Sequence, residues 1–456
     1  MAASSAMGLR QPGRGMRAFL LIWAGQLISI LGSQLTGFAL GVWVYQTTGS
    51  VTQLTLISFF ASIPFLAVTP LAGALVDRWN LRWTMLLGDL GGAFATLAYL
   101  ALLASGLLQI WHIYIIVAIT AVFGAFQFPA LSVATTLIVP KEQLGRASGL
   151  NPLAQGIAQL LGPLLAGVLV ALVGLPGVIA IDFASCLFAI ATLLAVRIPA
   201  RAAPAAGAQP PALGHDMLFG WRYILARPGL LSLLVLFAVS NFMTATVVTL
   251  AKPLILAFTT PAVLGLILSV AGLGVLAGGL AMSIWGGPRR RVDGVLASFA
   301  LSGVCLLAGG LAPSAWLIGA AAFLFSIGTP IIAGCSQAIW QVKVPAEVQG
   351  RVFATRSLIA MSSLPLAFLL TGPLADYVFE PALAPGGALA GSVGRLIGVG
   401  PGRGIALLFM AFGALMLLLV LAGALYPRLR NVEDDLPDAR PEPARAASAM
   451  PGAPEP

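Results

Sequence analysis

Charge is the scarcest commodity in this chain. Asp, Glu, Lys and Arg make up only 9% of its 456 residues, against about 25% in a soluble globular domain. Hydrophobic residues make up 59%, so too few charged side chains remain to cover the outside of a water-soluble fold. That excludes a soluble globule and implies an outer surface that meets lipid. Cysteine is nearly absent as well. Cys186, Cys305 and Cys335 all lie in apolar runs, with neither disulfide-framework nor metal-ligand spacing, and read as small core hydrophobes. The two histidines, His112 and His215, sit in different regions and cannot together build a metal site or a nucleophile–base pair. No metal and no cofactor is therefore expected. The formal net charge of +9 would suit nucleic acid, but the basic residues are scattered between apolar blocks and form no stripe. Nucleic acid is excluded as a partner.

Long apolar runs are abundant. A helix crossing the hydrocarbon needs about 20 mostly apolar residues, because no water is present there to satisfy backbone groups. Runs of that length fall near 18–46, 52–76, 84–104, 111–138, 147–173 and 176–196, then near 229–257, 262–285, 293–311, 315–340, 352–375 and 404–426. The fold class expected is all-α integral membrane, with twelve transmembrane helices. The opening MAASSAMGLRQPGRGMRAFLL has the outline of a secretion signal. Its apolar run is too long and lacks a small-residue cleavage site, so it is expected to stay as the first span. GVGPGRG at 398–404 has glycine spacing but no preceding strand, which excludes a phosphate-binding turn.

All but three of the 24 Lys and Arg residues lie on the side of the spans that holds the chain termini. The exceptions are Arg395 and Arg403 on the other side and Lys252 within a span. Positive residues accumulate in cytoplasmic loops, which puts both termini in the cytoplasm. The chain then divides into a cytoplasmic N-terminus (1–17), a six-helix half (18–197), a cytoplasmic linker (198–228), a second six-helix half (229–426) and a tail (427–456). The linker holds a short interfacial helix with Trp221 and Tyr223 at headgroup level. The tail, rich in Pro, Ala and charge, is expected to be disordered.

The string VPKEQLGR at 139–146 recurs as VPAEVQGR at 344–351, each joining the fourth to the fifth helix of its half. GALVDRW at 73–79 and GLAMSIW at 279–285 pair at nearly the same offset. Two pseudo-symmetric six-helix halves related by an axis along the membrane normal form a transporter architecture, with substrate bound between them near the midplane. In the repeated string proline ends one helix, and Glu142 and Glu347 stand near the positive N-terminus of the next. Arg146 and Arg351 then face the anionic leaflet as topological anchors, or meet a carboxylate of the opposite half as a latch.

GALVDRWNLR (73–82) resembles the loop signature of the major facilitator superfamily, whose Asp and Arg latch the two halves on the cytoplasmic side. The resemblance implies that role for Asp77, Arg78 and Arg82. Gly149, Gly162, Pro163 and Gly167, with Ala158 and Ala166 where the signature has glycine, are similar to the glycine–proline signature of drug/proton antiporters. Close helix packing by small residues is the other reading of that set. RAFLLIWAGQLISILGSQLTGFALGVWVYQTTGS and GRVFATRSLIAMSSLPLAFLLTGPLADYVFEP resemble the antiporter branch of macrolide-efflux and enterobactin exporters. IWQVKVPAEVQGRVFATR and GPGRG bring exporters associated with nonribosomal peptide synthesis nearest. The chain departs from sister branches in lacking a coupling arginine on the fourth helix, and Ser283 stands where the first half has Asp77. The resemblance implies a monomeric, multi-pass secondary transporter of the bacterial cytoplasmic (inner) membrane, in contact with membrane lipids. It would export an amphipathic small molecule (drug, siderophore or peptide natural product) by alternating access, coupled to protons. A lipid or lysolipid translocator is the second transport reading. A membrane enzyme or a non-transporting scaffold is the reading from another class.

Asp89, Asp182 and Lys252 are the charged residues read inside spans, where a charge costs roughly 2.5–3.5 kcal/mol on insertion scales. Asp89 meets Arg78 or Arg82, or carries protons. Asp182 carries protons, or pairs with Lys252. Asn241, Thr244, Val248 and Lys252 follow one face of the seventh helix. A lysine above that polar stripe favours an anionic substrate group, or snorkels to the interface. Gln26, Ser29, Ser33 and Gln34 form a polar face on the first helix, for substrate or for helix–helix hydrogen bonds. Phe123, Phe126 and Phe128 offer aromatic surface to the same cavity.

Overall fold

The structure, a computed structural model, describes residues 12–76, 79–196 and 213–436. Its helices are α1 (Pro12–Thr48), α2 (Val51–Val76), α3 (Leu81–Ala104), α4 (Ile110–Ile138), α5 (Leu144–Ala195) and α6 (Leu213–Leu225). The second half follows with α7 (Pro228–Leu256), α8 (Pro261–Trp285), α9 (Arg291–Leu311), α10 (Ala315–Lys343), α11 (Ala346–Pro373) and α12 (Arg403–Leu425). No strand occurs among the described residues. Eleven of these helices are long and apolar enough to cross a bilayer. One of them, α5, has 52 residues, about 78 Å at about 1.5 Å per residue, more than twice the thickness of the hydrocarbon core. It breaks at Gly174 (φ 64°, ψ −176°), a left-handed backbone that glycine adopts without steric cost. Two crossings result, and the total is twelve.

The repeated strings sit at equivalent places. Pro140 follows the end of α4 and Pro345 the end of α10, and each precedes the fifth crossing of its half. Helix pairing repeats too. In the first half α1 packs on α5, α2 on α4, and α3 on α4 and α5. In the second half α7 packs on α11, α8 on α10, and α9 on α10 and α12. Two pairs, α2 with α11 and α5 with α8, make most of the contact between the halves. The outward surface is apolar, with Trp316 and Ile284 90% and 87% exposed, as a lipid-facing surface requires.

The short helix α6 lies on the start of α11. Gly220 faces Thr355 and the Arg351 carbonyl, and the Arg351 guanidinium stands over the Phe219 ring at 5.2 Å. One expectation needs correcting. The tail is not disordered from residue 427, because Pro427–Arg430 and Val432–Asp435 form helical turns with Leu429 and Val432 buried. Its acidic stretch meets the basic ends of α9 and α10. Asp434 pairs with Arg290, Glu433 accepts from the Val292 N–H at 3.0 Å, and Lys343 donates to the Leu436 carbonyl at 2.7 Å. Residues 437–456, like 1–11 and 197–212, lie outside the described residues.

Candidate functional site

The halves are knitted together at the end that carries the α1–α2 turn. Asp376, in the π-helical turn after α11 (Leu374–Phe379), accepts from Ser50 Oγ at 2.7 Å and from the Val51 and Thr52 N–H groups at 2.9 and 2.8 Å. These are the first N–H groups of α2, which have no acceptor within their own helix, and the helix dipole there favours a carboxylate. One turn earlier Gly372 presses on the Thr52 backbone, leaving no room for a Cβ. On the other flank α5 and α8 meet through small residues. A Cβ on Gly167 would stand 2.7 Å from the Pro261 carbonyl oxygen, and one on Gly265 would collide with the Pro163 carbonyl. Ser269 Oγ donates to the Leu160 carbonyl at 2.7 Å.

Contact loosens toward the end that holds the termini. Gly156 meets only the Leu276 side chain, at 3.8 Å, and Gly149 has no neighbour within 4 Å of where a Cβ would stand. The glycine–proline set is therefore split. Pro163 and Gly167 form the seam with α8, Gly162 packs on Gln34 of α1 at 3.0 Å, and Gly149 faces open space.

Under this seam lies a cavity of about 350 Å³ between α2, α7 and α11. The whole α7 stripe lines it, Asn241, Thr244, Val248 and Lys252, joined by Ser58 and Phe368. Lys252 Nζ reaches across to the other half, 3.7 Å from where a Cβ on Gly41 of α1 would stand. No ion pair holds it among the described residues. The polar face of α1 divides. Ser33 and Gln34 are exposed, Gln26 and Ser29 are buried inside the first half, and none of the four lines this cavity. The aromatic expectation also fails. Phe123 packs on Gly91 and Phe126 stacks on Trp79 at 5.7 Å, and the Phe128 side chain lies outside the described residues.

The two buried acidic residues of the first half, Asp89 and Asp182, face α1. Gln26 Nε2 donates to the two Asp89 carboxylate oxygens at 3.1 and 3.0 Å. Gln127 Nε2 donates to Asp89 Oδ1 at 2.6 Å and to Gln26 Oε1 at 2.7 Å. The expected meeting of Asp89 with Arg82 does not occur. Arg82 stands in the first turn of α3 and donates to the Leu194 carbonyl at 2.7 Å, two turns away from Asp89; Arg78 lies outside the described residues. Asp182 sits against Gly32, whose Cβ would stand 2.6 Å from its Oδ1. It accepts from Ser185 Oγ at 3.4 Å and does not pair with Lys252. Asp89 and Asp182 are thus buried acids with neutral donors around them and no cation among the described residues. Such a group can gain or lose a proton without breaking an ion pair.

At the terminal end, Asp77 lies outside the described residues with Arg78. Glu142, Arg146 and Glu347 are exposed and make no ion pair among the described residues, and Arg351 is stacked on α6. Three residues of interest escape a reading of the sequence. Asp376 and Gln127 show their role only through a partner helix. Arg356, counted with the basic residues on the terminal side of the spans, lies well inside α11, which starts at Ala346. It donates to Gln337 Oε1 and Ser336 Oγ, both at 3.0 Å.

A sequence model of the Major Facilitator Superfamily matches residues 22–368. Macrolide efflux protein A of Streptococcus pyogenes is 27% identical over 366 residues, covering 79% of this chain and 90% of that protein. Enterobactin exporter EntS of Shigella boydii serotype 18 is 27% identical over 213 residues, 46% of this chain and 50% of the exporter. A solved bacterial homolog to the human lysosomal transporter Spinster, in an inward-facing and unoccupied conformation, superposes with a TM-score of 0.63 at 14% identity, covering 91% of this chain and 95% of that one.

Proposed function

This chain belongs to the Major Facilitator Superfamily and is a membrane transporter, not an enzyme, and from that premise we propose that it exports a bulky amphipathic small molecule by alternating access. One observation carries the reading. The halves are sealed at one end through Asp376 and the α5–α8 glycines, and a polar stripe from α7 lines a cavity directly beneath the seal. The arginine-rich turns support a cytoplasmic terminal end in a bacterial inner membrane, and on that orientation the state described faces the cytoplasm. Opening the seal and closing the terminal end delivers the substrate outward. In that second state Asp77, Arg78 and Arg82, with the turns carrying Glu142, Arg146, Glu347 and Arg351, latch the halves. Efflux relatives support the direction of transport.

Protons supply the energy through Asp89 or Asp182, the buried acids whose neutral partners leave them free to titrate. The test is uptake into inverted membrane vesicles of a panel of amphipathic compounds under an imposed pH gradient, acid inside. Accumulation that collapses with the gradient is expected. Failure of every compound to accumulate under any gradient would overturn the reading. The lipid translocator stays as the second reading because the cavity adjoins an apolar space inside the second half.

A further inference from the structure

A second cavity, about 250 Å³, lies within the C-terminal half and shares Thr244 and Val248 of α7 with the cavity under the seal. Ile267, Leu306, Ile318, Phe325 and Phe409 form its walls, and no charged side chain lines it. Sites that engulf a whole drug-sized ligand run to about 300–1,000 Å³. This slot is smaller, so it takes part of a ligand. An apolar space of such a size accepts an apolar guest. The cation is close by. Lys252 follows Val248 by four residues on the same face of α7, about 6 Å along the axis. It points into the first cavity and has no carboxylate at ion-pair distance among the described residues. A charge held in a membrane interior without a partner is costly and marks a place where a partner arrives.

We propose that the transported molecule is a single-tailed amphipathic anion. Its acidic head, a carboxylate, phosphate or sulfate, sits on Lys252 Nζ between the halves. Its apolar tail passes Thr244 and Val248 into the slot of the C-terminal half. The assignment rests on the cavity under the seal being the transport site. It narrows the substrate from amphipathic in general to one charge sign and one tail position.

The test uses the full chain in lipid nanodiscs and four soluble probes, octanoate, octanamide, octylammonium and butyrate, with binding followed by saturation-transfer NMR. The wild type is expected to bind octanoate at least tenfold more tightly than octanamide and than butyrate, and octylammonium most weakly. Lys252→Met should abolish the preference for octanoate over octanamide, and Lys252→Arg should keep it. Ala322→Phe, which fills the slot, should weaken octanoate at least tenfold. Equal affinity of the wild type for octanoate and octanamide overturns the proposal without relying on any variant, and so does undiminished octanoate binding by Ala322→Phe. Displacement of octanoate by a lysophosphatidate or by an N-acyl amino acid supports the site and separates a lipid source from a natural-product source. Displacement by neither overturns it. Efflux of a neutral amphipathic dye is measured in parallel. Loss of head selectivity with efflux intact sinks this assignment alone. Selective binding with no efflux of any probe sinks the export reading and leaves the site standing.

Discussion

Asp376→Ala removes the acceptor for three donors at the start of α2 in one step. Hydrogen bonds to a charged group contribute about 1.5–3 kcal/mol each, and a carboxylate at a helix N-terminus adds about 0.3–1 kcal/mol. Those contributions do not add in full, since water takes over the Ser50, Val51 and Thr52 donors whenever the seam opens. A net loss on the order of 2–3 kcal/mol remains, equivalent to a shift of roughly 30- to 150-fold toward the unsealed state. The three natural cysteines are buried, so a single reporter cysteine at Ser58, on the cavity wall, can be followed with a membrane-impermeant maleimide. Labelling from the α1–α2 side should accelerate by at least tenfold in Asp376→Ala. Asp376→Asn should fall between, because its amide oxygen still accepts but carries no charge. Labelling from the terminal side should slow as the sealed state loses population, whereas a merely unfolded variant would label faster from both sides. An unchanged rate from the α1–α2 side in Asp376→Ala would refute the seal.

Three further outcomes are expected. Asp89→Asn keeps the shape of the Gln26–Asp89–Gln127 cluster and removes its titration, so in proteoliposomes downhill flux should persist while dependence on the pH gradient disappears. Coupling that survives would leave Asp182 as the proton site. Gly265→Ala forces a methyl against the Pro163 carbonyl, and overpacking of this kind costs about 1–3 kcal/mol. The melting temperature in detergent should fall, and a temperature at or above wild type would show that α5 and α8 are not clamped there. Val432→Asp undocks the ordered part of the tail, with the loss of a buried valine alone contributing about 1.5–3 kcal/mol. Tryptic cleavage after Arg428 and Arg430 should then speed up tenfold or more, and an unaltered digestion rate would mean that the segment was never docked.

Most of the fold is legible in the sequence because bilayer thickness sets a single length scale. Twelve apolar runs of about the right length leave no other arrangement, and the gap between 173 and 176 falls at the Gly174 break. Pro140 and Pro345 mark the paired turns for equally local reasons. The stripe on α7 is legible too, since Asn241, Thr244, Val248 and Lys252 share one helical face whatever the neighbours do. The face on α1 is harder. At about 100° per residue, Gln34 stands about 80° round from Gln26, so the two look toward different neighbours. A polar side chain in a membrane helix is satisfied equally well by a cavity or by an adjacent helix, and only the placement of α3 and α4 decides it. Asp376 is harder still, because its partners are backbone N–H groups of the opposite half. Composition suggests disorder for the tail, but composition says nothing of the basic ends of α9 and α10 that receive Glu433 and Asp434.

The two halves carry different chemistry despite their common plan. Buried acid belongs to the first half, in Asp89 and Asp182. The second half brings the lysine and the apolar slot to the cavity, and it supplies the carboxylate that clips the seal. α1 lies against Asp89, Asp182 and Lys252 alike, with Gln26 on Asp89, Gly32 on Asp182 and Gly41 beside Lys252. From residue 26 to residue 41 a helix runs about 22 Å, most of the hydrocarbon thickness. Coupling between distant sites requires an element with two arrangements that both sites bias. The seam is that element on the proposed mechanism, since Asp376 and the α5–α8 glycines hold one arrangement by contacts that would be lost as a set when the halves part. On the proposed mechanism a proton taken up beside α1 and an anion bound at Lys252 act on the same rigid rod from its two sides. Neither needs to touch the other, and the seal under which Lys252 lies is the part that must yield.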